Sequence, residues 1–269
     1  MKHPLAVIYF SKDRAMQLHA SLTSFQRYAT NYAVSDVFVL FQTDEYQYQY
    51  DNLCEEFKTV FFIKETELTK QVHEILTHYK AVLFVVDDTL FYRKFDLAAC
   101  TDYLLQHPKV LGFSLRLGRN INISHVHNCD INPPVFEKTK DGFLTYKWFG
   151  KHREFCYPIE VSSSIYRTTD INKFLLEVKG NPGHIEGQFS RKSKLFKNSH
   201  PYLSCLENSV AFSVPVNVVR SETRCPRGRS YPISIKELAS KFDDGLRINI
   251  DPPIETINGC HVEVRYRFQ

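Results

Sequence analysis

Apolar residues fall in short blocks along the chain. Leu5 to Phe10 (LAVIYF), Val37 to Phe41 (VFVLF), Thr59 to Ile63 (TVFFI) and Ala81 to Val86 (AVLFVV) are continuous apolar runs, each followed by polar residues. Runs of this length, rich in β-branched and aromatic side chains, predict strands buried on both faces. Between them the spacing becomes helical. Met16, Leu18, Leu22 and Phe25 share one helix face, and Tyr46 to Phe57 and Leu68 to Tyr79 read as two further helices. Strand and helix thus alternate, which predicts a parallel sheet with right-handed crossovers. A helix over Asp96 to Gln106 and a strand over Val110 to Leu115 continue the pattern.

The alternation then breaks. Ile121 to Phe155 carries Asn, His and the Pro133-Pro134 pair, and reads as a long irregular connection with a hairpin turn at Asp141-Gly142 and a second hairpin strand over Thr145 to Phe149. Ile165 opens a second alternating region. It contains a helix over Asp170 to Val178, with Asp170 as its cap, and a helix entered through Asn181-Pro182-Gly183-His184-Ile185-Glu186. Val210 to Val219 is apolar, but Pro215 limits it to an edge or interrupted strand. Ser221 to Pro232 is an Arg-rich loop, Ile233 to Phe242 is helical, and His261 to Phe268 (HVEVRYRF) alternates as a half-exposed strand. No repeat or linker is visible. The expectation is one α/β domain over residues 1–269, with its two halves, 1–120 and 121–269, divided where the alternation breaks.

Composition narrows the class. The formal net charge of +4 is too small to argue for nucleic acid, and it suits an anionic substrate. The seven cysteines form no C-x-x-C pair, are odd in number and are irregularly spaced, which favours reduced thiols. No apolar run approaches membrane-spanning length, so a cytoplasmic protein is expected. Two basic clusters stand out: Arg220, Arg224, Arg227 and Arg229, and then Arg191, Lys192, Lys194 and Lys197. The second reads as a solvated helix face. Neither has the interleaved aromatics of a single-strand binder, and no basic amphipathic helix is strong enough to assign membrane association.

Candidate chemistry centres on Asp87 and Asp88, at the carboxyl end of the fourth apolar run, where ligands of open α/β sheets bind. Paired carboxylates there call for a positive partner. A divalent cation carrying phosphate oxygens fits, and hard oxygen ligands suit Mg²⁺ or Mn²⁺. The alternative is that either Asp only caps the next segment.

The stretch FVVDDTLFYRKFDL, followed by HPKVLGFSLR, resembles the central region of the exostosin-like glycosyltransferases, with their hydrophobic strand, D-x-D motif, helix and following strand. The opening VIYFSKDRAMQLHASLTSF is similar to a GT-A first strand, loop and helix. The resemblance covers Leu5 to Arg119. It implies the GT-A fold, an α/β mixed and mostly parallel sheet flanked by helices. The implied activity moves a sugar from a nucleotide-diphosphate donor to a glycan or other hydroxyl-bearing acceptor, with Mn²⁺ or Mg²⁺. Asp88 takes the last D-x-D place, the metal ligand, while Val86 stands where the first Asp belongs. Either Asp87 substitutes, or metal binding is weak, or the chain is a degenerate binding module of the same fold.

By the same resemblance, Ser11 and Arg14 would meet nucleotide or diphosphate, with a guanidinium forking onto phosphate oxygens. Asp44 would accept from base or ribose, or merely form a turn. Arg116, with Arg119, would meet phosphate or sugar hydroxyls. Glu186 would be the base of an inverting reaction, with His184 as its competitor, and is not needed if the enzyme retains configuration. Its simpler reading is a first-turn Glu on the helix dipole. His261 would be the C-terminal metal ligand, with Glu263 two residues on along the strand. A nucleotidyltransferase would carry a Gly-rich loop after the first strand, and Ser11-Lys12-Asp13-Arg14 has no glycine.

Overall fold

The computed structural model describes residues 3–125, 127–217, 231–251 and 257–269. The first apolar blocks become β1 (Leu5–Lys12), α1 (Ala15–Tyr28), β2 (Ser35–Gln42), α2 (Gln47–Glu56), β3 (Val60–Lys64), α3 (Leu68–Leu76) and β4 (Ala81–Val86). A short β5 (Thr89–Phe91), α4 (Leu97–Gln106) and β6 (Val110–Ser114) follow. Then come β7 (Glu137–Lys138), β8 (Leu144–Lys147), β9 (Ser163–Arg167), α5 (Thr168–Leu175), α6 (Pro182–Lys192), β10 (Tyr202–Cys205), β11 (Ala211–Ser213) and α7 (Ile235–Asp243).

Nine strands form one sheet in the order β7-β8-β10-β6-β9-β4-β1-β2-β3. β1 pairs in parallel with both β2 and β4, and β2 with β3. β9 enters antiparallel between β4 and β6, and β8 also runs against its neighbour β10. The sheet is mixed and mostly parallel, as expected. Its two faces carry separate cores. Leu5, Val7 and Tyr9 face the cluster that buries α1, α2, α4 and α7, whereas Ala6, Ile8 and Phe10 face the cluster that buries α3, α5 and α6. Period-two alternation along a doubly covered strand explains why β1 reads as a continuous apolar run.

The second half departs from its sequence pattern in places. Asp170 is not a cap. α5 begins at Thr168, and Asp170 lies buried in its first turn, with Arg167 Nη1 and Lys173 Nζ each 3.3 Å from its carboxylate. Val210 to Val219 yields only the three residues of β11, paired to β5, and Val218 and Val219 lie outside the described residues. His261 to Phe268 is no continuous strand. It touches the fold through two isolated bridges, His261 to Ser213 and Phe268 to Ile248. Its alternation records burial against two different partners, not one ladder. The hairpin at Asp141-Gly142 is present as β7 and β8, with Gly142 at φ 85°. No helix among the described residues is long and apolar enough to cross a membrane.

Candidate active site

The carboxyl ends of β1 and β4 lie side by side, Phe10 opposite Val86, and the chain leaves the sheet at both. After β1 it turns through Asp13, held at φ 53°, a left-handed conformation that Asp tolerates better than most residues. Arg14 then starts α1. After β4, Asp87 and Asp88 form the turn into β5.

These two ends are bound together by charge. Arg14 Nη1 lies 3.0 Å from Asp87 Oδ1 and 3.2 Å from Asp88 Oδ2, and Nη2 donates to the carbonyl of Asn217. The other oxygen of Asp87 accepts from Ser11 Oγ at 3.0 Å and from the Lys12 amide at 3.2 Å. Tyr50 completes the network, its hydroxyl 2.7 Å from Ser11 Oγ and accepting from the Arg14 amide. All three charged residues are buried. Burial works against the guanidinium of Arg14, and Asp87 and Asp88 overcome it, so its pKa rises. Burial pushes Asp87 up, Arg14 opposes it, and Asp88 adds to the rise. A buried ion pair of this kind contributes little net stability while intact, yet costs several kcal/mol when one partner is removed.

The C-terminal segment is laid against this corner. Val214 N donates to Asp88 O at 2.8 Å, Ser213 N to Cys260 O at 2.9 Å, and Val262 N to Ser213 O at 3.0 Å. Asp88, Ser213 and His261 are therefore neighbours by backbone pairing, although they are far apart in sequence.

A second charged wall faces the first. Arg116 leaves β6, Glu160 precedes β9, and Glu186 lies in the second turn of α6. Arg116 Nη1 is 3.7 Å from Glu160 Oε2, and both residues are buried. Glu160 also accepts from the amides of Ser162 and Ser163. Glu186 accepts from Tyr157 Oη at 3.1 Å and from Val161 N at 2.9 Å. Its carboxylate is thus turned away from the start of its own helix, which the side chain of Asn181 caps instead. Burial raises the pKa of Glu186 against the opposing pull of Arg116, and Glu160 raises it further.

Between the walls lies a cavity of about 530 Å³. Ser11, Arg14, Asp87, Asp88, Arg116, Glu186 and His261 all line it. Asp44 does not. It sits outside on an exposed turn, its carboxylate 3.6 Å from Lys12 Nζ and its amide bound to Asp13 Oδ1. His184, Arg119 and Glu263 are also absent from the lining, and Arg119 pairs instead with Glu207 at 2.7 Å. Arg220, Arg224, Arg227 and Arg229 lie outside the described residues. Sequence reasoning missed Glu160, Tyr157 and Asn217. Glu160 left one signal, an acid among apolar residues just ahead of a strand.

The chain is 28% identical to the bifunctional glycosyltransferase pgtA of Dictyostelium discoideum, in a match covering 80% of this chain and 32% of that protein. It thus spans about a third of the length of that curated relative. Among solved structures, a fragment of S. aureus TarS matches with a TM-score of 0.51 at 14% identity, over 78% of this chain and 60% of that one. This chain is homologous to that glycosyltransferase over the matched region and shares the fold of the TarS fragment. The same TarS fragment in complex with UDP gives the same TM-score. No family model matches the chain. In this fold the cavity takes the position outside the carboxyl ends of parallel strands where ligands of α/β sheets bind.

Proposed function

We propose that the chain transfers a glycosyl group from a nucleoside-diphosphate sugar to an acceptor hydroxyl in a divalent-cation-dependent reaction. The observation that carries this reading is one cavity lined by Arg14 with Asp87 and Asp88 on one side, and by Glu186 and the Arg116 that Glu160 holds on the other. One wall suits a diphosphate, and the other suits a hydroxyl that must lose a proton.

Asp88 and His261 are the residues fitted to hold the cation. Among the described residues no group of three or more His, Cys, Asp or Glu converges on one point. Two protein donors leave most of the coordination shell to diphosphate oxygens and water, the usual arrangement for Mg²⁺ at phosphate sites. When bound, the cation offsets the charge of the departing diphosphate. Arg14 and Arg116 supply fixed positive charge beside it. Asp87, both oxygens already engaged by the chain, positions Arg14 and the loop after β1. Glu186 takes the acceptor proton as the acceptor oxygen bonds to the anomeric carbon, and the bond from that carbon to the diphosphate oxygen breaks with its electron pair.

The test is thermal unfolding with UDP, GDP and their sugar conjugates, with and without Mn²⁺, on the wild type and on Asp88→Asn. A bound nucleotide at a hundredfold excess over its Kd stabilises the fold by about 2.7 kcal/mol. The expected result is a Mn²⁺-dependent shift that Asp88→Asn removes. A shift indifferent to both Mn²⁺ and Asp88→Asn returns the chain to a non-catalytic binding module, the reading that Val86 favours. No shift with any nucleotide overturns both.

A further inference from the structure

Residues 173–197 carry Lys173, Lys179, Arg191, Lys192, Lys194 and Lys197 against Glu177 and Glu186, a formal +4 that equals the net charge of the entire chain. Glu186 faces the cavity, Glu177 is paired with Lys192 and Lys173 with Asp170, which leaves Lys179, Arg191, Lys194 and Lys197 as the open charge. The fold gathers these charges. Lys192 Nζ lies 5.1 Å from the ring centre of Phe174, Lys173 Nζ 5.8 Å from that of Phe196, and Lys197 Nζ 4.9 Å from that of Phe149. Phe174 and Phe196 meet edge to face at 5.5 Å. The end of α5, the end of α6 and the turn after it therefore share one surface. Leu176 and Leu195, 55% and 71% exposed, belong to the same segment and are the exposed leucines of the described chain.

We propose that this surface docks on an anionic lipid bilayer, with Leu176 and Leu195 entering the headgroup boundary and the surrounding Lys and Arg meeting lipid phosphates. Basic residues around exposed apolar side chains are the signature of interfacial binding. The ammonium groups of Lys192 and Lys197, set over the rings of Phe174 and Phe149, fix positive charge beside apolar surface, the pairing an interfacial site needs. A soluble polyanion would use the charge but gain nothing from the leucines. The position also bears on the acceptor, a step that rests on the transferase reading. α6 runs from Pro182, Gly183 and Glu186 at the cavity to Arg191 and Lys192 on the basic surface. Its 11 residues span about 16 Å at the helical rise. The acceptor side of the cavity is thereby held close to the membrane plane, within reach of a hydroxyl on a lipid-anchored glycan.

The experiment is co-sedimentation of the full chain with phosphatidylcholine vesicles, with and without phosphatidylglycerol, in low and high salt. Heparin and duplex DNA serve as soluble polyanions. Binding is expected only with phosphatidylglycerol, and is weakened by salt. In Arg191→Gln/Lys194→Gln/Lys197→Gln it falls by about a hundredfold, since each basic residue near an anionic surface is worth a factor of about five. Leu195→Ser weakens vesicle binding and leaves heparin binding unchanged. Both variants keep the wild-type melting temperature and nucleotide response, because none of these residues lines the cavity. Absence of vesicle binding overturns the proposal. So does binding to heparin or DNA as tight as to vesicles with Leu195→Ser silent, which would make the surface a polyanion site. A failed nucleotide assay leaves the vesicle result standing.

Discussion

Asp87 and Asp88 are adjacent carboxylates with different tasks, and substitution separates them. Asp87 holds Arg14, Ser11 and the Lys12 amide inside the protein. Asp87→Asn leaves Arg14 with half its pairing, and urea unfolding is expected to show a loss of about 3 kcal/mol. Asp88→Asn removes less structure, and its main effect is the loss of Mn²⁺-dependent nucleotide stabilisation. Glu186 gives a pH-dependent prediction. Its folded pKa lies above the unfolded value, so its contribution to stability is full below the unfolded carboxyl range and is lost as pH rises through the folded pKa. In Glu186→Gln that loss disappears, and unfolding free energy plotted against pH is flatter above about pH 4.3 than in the wild type. Tyr157 donates to Glu186 and lowers its pKa. Tyr157→Phe therefore moves the acidic limb of the kcat/KM profile to higher pH, and a limb that stays in place would remove Glu186 from the reaction. The sequence showed Arg14, Asp87, Asp88, Arg116, Glu186 and His261 because charge at a strand end or helix start is conspicuous. Glu160 left only its apolar surroundings as a signal, since its place depends on the amides of Ser162 and Ser163 turning back on it, a feature of loop geometry.

At the scale of elements, the parallel half was legible because each strand is buried on both faces and each helix repeats its apolar side. β9 was not, because a buried antiparallel strand leaves the same apolar run as a parallel one. Its reversal puts the amino end of β9 at the cavity, beside the carboxyl ends of β4 and β6, and so brings Glu160 to Arg116. The β6–β9 contact is tight. A Cβ on Gly112 would lie 2.6 Å from Cε1 of Tyr166, a buried ring whose hydroxyl accepts from the Glu160 amide at 2.9 Å. Gly112→Ala is expected to cost about 1–3 kcal/mol by overpacking. It is also expected to lower turnover, because Tyr166 cannot move without Glu160. A melting temperature that does not fall would show that the strands can part at no cost. Alternation also misled once, in HVEVRYRF, where period two arose from separate contacts at His261 and Phe268.

Across the whole molecule, distant segments are stapled at Asn120. Its side chain donates to Ser209 Oγ at 2.9 Å and to Ile257 O at 3.0 Å, and accepts from the Ser209 amide at 2.8 Å. Asn120→Ala removes these bonds and strands a backbone amide, for an expected loss of about 2–4 kcal/mol at about 1 kcal/mol per bond. Thiol labelling should report the same event, since buried Cys260 lies on the strap that Asn120 secures. Unchanged labelling would place the strap's anchorage elsewhere. Such long-range stapling has no sequence signal, because a lone Asn after a strand reads as a turn. The strap through Cys260 and His261 also has a consequence in time. During synthesis the carboxylates at the end of β4 emerge well before the strap that pairs with Ser213 beside them. A growing chain carries its buried charges as an unfinished corner, held by Arg14, Ser11 and the Lys12 amide, and its cleft is incomplete until residues 257–262 have left the ribosome.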